Sequence, residues 1–389
     1  MISILVVIYV VFISLGLPDS LFGVTWPVVH KDFMIPESFA SLYSIITGLC
    51  SGGASFIAGS LIRKFGTPRV TYFSILLTAI GLVGISFSPN IIVMMLFTVI
   101  MGYGAGAIDT GLNNYISLNY KARHMSWLHC FWGVGVTLSP LIMSNFLSGN
   151  SEWRIGYRII ALIQFSISIL VLISLKKWIK EDKKSNKVEA DNNSESKHSI
   201  ITVLKGKGVI TSILSQGLYC SMEFLIGTWG ASYLVNSFGY LPDTAARWVS
   251  LYYGGIMIGR LISGFISIKA NDNTLIRGGI TVAFVGIIIL LLPLGAFSPV
   301  GLLLIGVGFG PIFPSILHSV PERFGKEYSA DLTGFHMGGA YGTGFLVQLI
   351  FGYVATATTF NITPFVLLGL IICLISANEH TIRVLKRGE

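Results

Sequence analysis

Three acidic residues, Asp19, Asp109 and Glu223, lie inside long apolar segments, where an ionisable carboxyl group is unusual. A carboxylate at the centre of a lone apolar span costs roughly 2.5 to 3.5 kcal/mol on insertion scales, so chains keep one mainly where it meets a partner or water. Burial and like-charge proximity both favour the protonated carboxyl. We expect at least one of these acids to be protonated at neutral pH and to release its proton when water reaches it.

Asp109 is the first candidate for the proton site because amides accompany it. Gly102, Gly106, Asp109 and Asn113 share one helical face, on which the glycines allow another backbone to approach closely. Asn113 and Thr110 can hydrogen-bond either the acid or a hydroxyl group of a sugar, and the adjacent Asn114 is a further candidate for substrate binding. The alternative is a structural acid that only hydrogen-bonds a neighbouring helix.

Asp19 and Glu223 are expected to bind a ligand or to share the proton. For Glu223 the alternative is an interhelical hydrogen bond that only fixes the helices. Arg260 is the one lysine or arginine well inside an apolar span, and a single cation cannot neutralise three acids. We expect Arg260 to act in gating, or else to extend towards the cytoplasmic membrane surface.

Aromatic side chains near these acids suggest the class of ligand. Trp26, Trp132 and Trp229 lie within spans or near their ends, and flat apolar faces beside carboxylates and amides suit a sugar ring. His336 is a further candidate for ligand binding. The alternatives are an interfacial position for Trp26 and a packed, hydrogen-bonded histidine at position 336.

The composition places all of these residues in an integral membrane protein. The chain has 389 residues, of which 53% are hydrophobic and 11% are charged, whereas about a quarter of the residues of a soluble domain are charged. The net charge of +8 comes from basic residues in short connections, which excludes a nucleic-acid partner. The four cysteines lie in apolar runs without metal-ligand spacing, so we expect no metal and no cofactor.

Twelve apolar spans can be counted, each long enough to cross a bilayer. They lie at about residues 2–28, 39–61, 70–88, 91–118, 128–148, 156–176, 209–235, 244–268, 274–293, 297–319, 331–355 and 362–382. The predicted domains are an N-terminal six-helix bundle over residues 1–176, a basic linker over 177–207 and a C-terminal six-helix bundle over 208–389. Basic residues collect on one set of alternate connections, which predicts a plasma-membrane protein with both termini and the linker in the cytoplasm.

The two halves are similar to each other. A shift of 204 residues places Gly102, Gly104 and Gly106 on glycines 306, 308 and 310, and it places Asp19 on Glu223. Two parallel six-helix halves related by an axis along the membrane normal are typical of one transporter architecture, whose substrate site lies near the midplane between the halves.

The loop after the second span resembles the Gly-x-Leu-x-Asp-Arg-x-Gly-Arg signature of the major facilitator superfamily. Here the loop is Gly-Ser-Leu-Ile-Arg-Lys-Phe-Gly-Thr-Pro-Arg over residues 59–69, with Arg63 in place of the aspartate. The resemblance covers essentially the whole chain and implies an all-α polytopic protein with twelve transmembrane helices in two parallel six-helix repeats. Arg63 joins Arg260 as a candidate gating residue.

Within that superfamily the likeness is to the fucose:proton symporter family and its bacterial glucose/mannose relatives. The stretch Gly-Ala-Gly-Ala-Ile-Asp-Thr-x-x-Asn, which contains Asp109 and ends at Asn113, resembles the fourth span of that family, where the acid carries the coupled proton. Glu223 and Trp229 occur in a Glu-x-x-x-Gly-x-Trp pattern that is similar to the seventh span of a broader branch. The resemblance implies proton-coupled import of a monosaccharide by alternating access.

Other functions were weighed against this one. The sequence has no phosphate-binding loop, nucleophile elbow or zinc-binding helix, so neither an ATP-driven pump nor an enzyme is expected. The main alternative is a proton-driven exporter of drugs or other amphiphilic molecules, and a second is a non-transporting sensor. The expected partners are a small-molecule substrate of the sugar class, together with protons and the lipid bilayer, and the protein is expected to be a monomer.

Overall fold

The computed structural model of the protein describes residues 4–120, 122–147, 152–189, 204, 206–292, 297–325 and 329–386. Within these residues the regular structure is helical, and no strand occurs. The helices are α1 Ile4–Asp19, α2 Leu21–Asp32, α3 Phe39–Phe65, α4 Thr67–Phe87, α5 Ile91–Asn119, α6 Ala122–Ser144, α7 Trp153–Glu189, α8 Val209–Phe238, α9 Pro242–Ile266, α10 Asp272–Leu291, α11 Ser298–His318, α12 Val320–Phe324, α13 Ser329–Ala357 and α14 Thr363–Lys386.

Eleven stretches among the described residues are long and apolar enough to cross a membrane. The first of them, Ile4–Asp32, combines α1 and α2, and the short α12 is not among them. Helix α3, which is 27 residues long, coincides with the predicted second span. Four of its side chains, including that of Arg63, are outside the described part of the structure, and α3 is not one of the eleven.

The first predicted span is broken at its centre. Helix α1 ends at Asp19 and α2 begins at Leu21, with Pro18 in the last turn of α1. Proline has no N–H and its ring displaces the carbonyl four residues earlier, which here belongs to Ser14. The Gln164 Nε2 atom of α7 donates to that carbonyl oxygen at 2.6 Å, so the group that proline leaves unpaired is satisfied by another helix.

Contacts divide the chain into two compact units. One comprises Met1–Asn193 with Tyr240–Ser250, and the other comprises Ser194–Gly239 with Leu251–Glu389. Helix α7 continues to Glu189, so the first part of the predicted linker is helical, whereas residues 190–203 and 205 lie outside the described residues. The exact domain boundaries at 176 and 208 stay a prediction.

Each unit has its own apolar core. In the first unit α1, α5, α6 and α7 meet around Ile8, Phe12, Ile116, Leu128 and Trp178, all of which are buried. In the second unit the buried side chains include Tyr252, Ile276, Phe309 and Leu367. Because lipid is as apolar as these cores, close packing and interhelical hydrogen bonds hold the helices together.

Candidate functional site

Asp19 lies at the break in the first span. The next residue, Ser20, connects α1 to α2, and its Oγ atom donates to the carbonyl oxygen of Val136 in α6 at 2.8 Å. Interrupted helices in transporters commonly mark binding sites, because the break presents polar groups at membrane depth. Pro18 next to Asp19 is the sequence signal for this break, and sequence reasoning missed it.

Close packing of α1 on α6 positions the partner of Asp19. A Cβ atom added to Gly135 would collide with the carbonyl of Ile13, and one added to Gly16 would collide with that of Trp132, so only glycine allows this approach. The Trp132 Nε1 atom donates to Asp19 Oδ2 at 2.8 Å. The sequence singled out both side chains, and the structure brings them together.

The Asp19 side chain is exposed, whereas Trp132 is half-buried. A carboxylate inside a membrane span is costly against lipid, so we expect the exposed face of Asp19 to meet water or polar groups. Asp19 and Trp132 together offer a hydrogen-bond acceptor beside an aromatic face, an arrangement that can bind a ring carrying hydroxyl groups.

Asp109 has a different environment, within α5. The Asn113 Nδ2 atom donates to Asp109 Oδ1 at 2.7 Å and to the Asp109 carbonyl oxygen at 3.0 Å. Both residues are half-buried. Among the described residues no lysine or arginine forms an ion pair with Asp109, so its structural partner there is a neutral amide.

Glu223 in α8 has a cationic partner. The Arg260 Nη2 atom of α9 lies 3.7 Å from Glu223 Oε1, and each side chain is only 9% exposed. The guanidinium of Arg260 therefore points towards Glu223 inside the second unit. Its role in gating stays a prediction.

Two of the predicted ligand-binding tryptophans lie in packed interiors. Trp26 is fully buried in the first unit, where its Nε1 atom donates to the carbonyl oxygen of Glu37 at 2.7 Å. Trp229 is fully buried in the second unit, with its ring centroid 5.9 Å from that of Phe351 and 5.8 Å from that of Phe360. The binding roles of both tryptophans stay predictions.

His336 is also fully buried, and both of its ring nitrogens have partners. Nδ1 lies 2.7 Å from the carbonyl oxygen of Leu332, and Nε2 lies 2.9 Å from Ser212 Oγ. A carbonyl only accepts, so Nδ1 carries the proton and Nε2 accepts from the serine hydroxyl. The role of His336 in ligand binding stays a prediction. The side chains of the remaining candidates, Asn114 and Arg63, lie outside the described part of the structure.

Comparison with known proteins identifies the family. The model of the Major Facilitator Superfamily matches residues 8–348. The chain belongs to this superfamily. The chain is 24% identical over 367 residues to the glucose/mannose transporter GlcP of Bacillus subtilis, an alignment that covers 91% of this chain and 88% of that protein. Its membership of a transporter superfamily confirms that it is a transporter and not an enzyme.

Solved structures agree with this assignment. The chain superposes on the nucleoside transporter NupG with a TM-score of 0.74 at 15% identity, covering 97% of this chain and all of that one. The fucose:proton symporter FucP of E. coli gives a TM-score of 0.63 at 14% identity and covers 97% and 98% of the two chains. The predictions of an all-α polytopic fold and of likeness to the fucose and glucose/mannose transporters are confirmed.

Proposed function

We propose that this transporter imports a monosaccharide together with a proton, by alternating access. The observation that carries the proposal is the contrast between two intramembrane acids. Asp109 has the neutral amide of Asn113 as its structural partner, whereas Glu223 faces the guanidinium of Arg260. The sugar specificity is supported by the likeness to the glucose/mannose transporter.

Asp109 is assigned the coupled proton. Its side chain is half-buried in a membrane-spanning helix and forms no ion pair with a lysine or arginine among the described residues, which suits a carboxyl that takes up a proton and releases it when water arrives. The Asn113 side chain can serve both states, because its amide nitrogen donates to the ionised acid and its oxygen can accept from the protonated acid after a rotation of the amide. Proton uptake from one side of the membrane and release to the other then follow the access of water to Asp109.

Glu223 is assigned to ligand recognition. Its carboxylate lies 3.7 Å from the guanidinium of Arg260, whereas Asp109 has a neutral amide as its structural partner. The proposal therefore gives the proton to Asp109 and ligand recognition to Glu223, two roles that the sequence leaves open between the acids.

Asp19 and Trp132 are assigned to the ligand. The exposed carboxylate can accept hydrogen bonds from sugar hydroxyls, and the indole ring can pack against the C–H face of the sugar. Multi-pass insertion in the plasma membrane with both termini in the cytoplasm, and transport by the monomer, complete the proposal.

The test is uptake of labelled glucose, mannose, fucose and galactose into proteoliposomes that contain only this protein. Under an inward proton gradient, we expect one or more of these sugars to accumulate and a protonophore to abolish the accumulation. Transport that the protonophore leaves unchanged would contradict proton coupling. If none of the four sugars moves, the sugar assignment fails and export of an amphiphile becomes the better hypothesis.

A further inference from the structure

A polar cluster lies inside the second unit. Gln216, Tyr219 and Glu223 follow one another on a single face of α8, since positions three, four and seven residues apart share a helix face. Tyr252 and Arg260 of α9 lie against them. These five residues are called the Glu223 cluster below.

Two polar contacts of Glu223 within the cluster are long. The 3.7 Å between Arg260 Nη2 and Glu223 Oε1 is longer than a direct hydrogen bond, and the Tyr252 hydroxyl reaches the Glu223 carbonyl oxygen at 3.5 Å. Phe309 closes one side of the cluster, with its ring centroid 5.3 Å from that of Tyr219 and 6.3 Å from that of Tyr252. Polar contacts of this length commonly include a bridging group.

Two buried polar atoms of the cluster are incompletely satisfied by the described residues. Gln216 and Tyr219 are fully buried, and the Gln216 Oε1 atom has no hydrogen-bond partner among the residues that the structure describes. The Tyr219 hydroxyl interacts with Glu223 and Arg260, and its contact with Glu223 falls short of normal hydrogen-bond geometry. Native structures rarely leave such atoms unpaired, so each unpaired atom indicates a group that completes the site.

The chemistry of the cluster restricts that group. Glu223 and Arg260 cancel each other in charge, so the cluster favours neither an anion nor a cation. Gln216 Oε1 and the carboxylate can only accept, the guanidinium can only donate, and the tyrosine hydroxyl can do both. A group that donates one hydrogen bond and accepts others satisfies this set, and a hydroxyl group is the smallest neutral group that does so.

We propose that the Glu223 cluster binds one hydroxyl group of the transported ligand, and that a water molecule takes the same place in the empty protein. The inference rests on the proposed function and deepens it, since it names Tyr219 and Gln216 as specificity-determining residues for a neutral, hydroxylated substrate. The ligand hydroxyl enters from the side of Glu223, which is 7% exposed.

The test uses the full-length protein in proteoliposomes and measures counterflow exchange, which does not depend on proton coupling. The variants are Tyr219→Phe and, as a second probe with similar side-chain length, Gln216→Met. Tyr233→Phe is the matched control, because Tyr233 is a buried tyrosine of the same helix outside the cluster. The substrates are the sugar that the wild type transports and its singly deoxygenated analogues.

We expect Tyr219→Phe to raise the half-saturation concentration of the parent sugar about tenfold, with Tyr233→Phe unchanged. For one deoxy analogue, the half-saturation concentration in the wild type should be about as high as that of the parent sugar in Tyr219→Phe. Combining this analogue with Tyr219→Phe should not raise the half-saturation concentration further, because the analogue and the variant remove the same contact. If Tyr219→Phe raised the half-saturation concentration by the same factor for every analogue, water alone would occupy the site, and ligand binding there would be overturned. If Tyr219→Phe and Gln216→Met both had the wild-type half-saturation concentrations for all of the sugars, the whole inference would be overturned. A wild type that moves no sugar would instead refute the proposed function itself.

Discussion

At the scale of single residues, the indole of Trp132 is the group that orients the exposed carboxylate of Asp19. Trp132→Phe keeps an aromatic face and removes the N–H donor. We expect the half-saturation concentration for sugar exchange to rise about tenfold, which corresponds to the loss of one charge-assisted hydrogen bond, while proton-driven accumulation persists. Trp248→Phe is the control, because the Trp248 Nε1 atom has no hydrogen-bond partner among the residues that the structure describes. Equal effects of the two variants would contradict the role of the Trp132 donor.

The Glu223 and Arg260 pair gives a second prediction at this scale. Arg260→Met leaves a buried carboxylate without its counter-charge, and breaking a buried pair in this way typically costs about 3 to 5 kcal/mol. We expect a clear fall in the thermal unfolding temperature of the detergent-solubilised protein. The double variant Arg260→Met/Glu223→Gln should recover most of that fall, since it removes both charges. A double variant as unstable as Arg260→Met would show that the two side chains are not coupled.

At the scale of helices, the break between α1 and α2 depends on two residues that lie far apart in the sequence. Pro18 deprives the Ser14 carbonyl of its helical partner, and Gln164 of α7 replaces that partner. Gln164→Leu should lower the thermal unfolding temperature, because a buried acceptor left unsatisfied costs about 1 to 3 kcal/mol.

The same break should be needed for transport. In Pro18→Ala the helix can supply the missing N–H, so Gln164→Leu should cost much less stability in that background than in the wild type. Pro18→Ala alone should reduce the rate of sugar exchange, because a continuous helix moves Asp19 away from Trp132. Wild-type exchange in Pro18→Ala, measured at equal reconstituted amounts, would show that the break is not part of the binding site.

At the scale of the whole molecule, the sequence predicts the spans well because bilayer thickness fixes their length. It does not predict which polar groups pair. Asp19 and Trp132 lie 113 positions apart, and their bond depends on the close crossing of α1 and α6 at two glycines. The sequence also does not predict that Trp26 and Trp229 are fully buried. In a membrane protein the helix faces that point to lipid, to a cavity or to the protein interior are all apolar, so the pattern of apolar residues does not distinguish them.

The internal repeat is also incomplete as a guide to structure. The shift of 204 residues pairs Asp19 with Glu223, yet helix α8 runs without interruption from Val209 to Phe238, whereas the first span breaks at Asp19. Position 222, which corresponds to Pro18, is a methionine, so nothing in the second half forces a break. Equivalent acids therefore have different surroundings, a carboxylate beside an indole in one unit and a buried ion pair in the other.

The central claim is that Asp109 carries the coupled proton, and Asp109→Asn tests it most directly. The measurement is sugar accumulation under an inward proton gradient beside sugar counterflow without a gradient, in the same proteoliposomes. The exposed acid Glu152 supplies the control variant, Glu152→Gln. We predict that Asp109→Asn loses accumulation and keeps counterflow, while Glu152→Gln keeps both. Accumulation by Asp109→Asn at the wild-type level would contradict the assignment of the proton to Asp109.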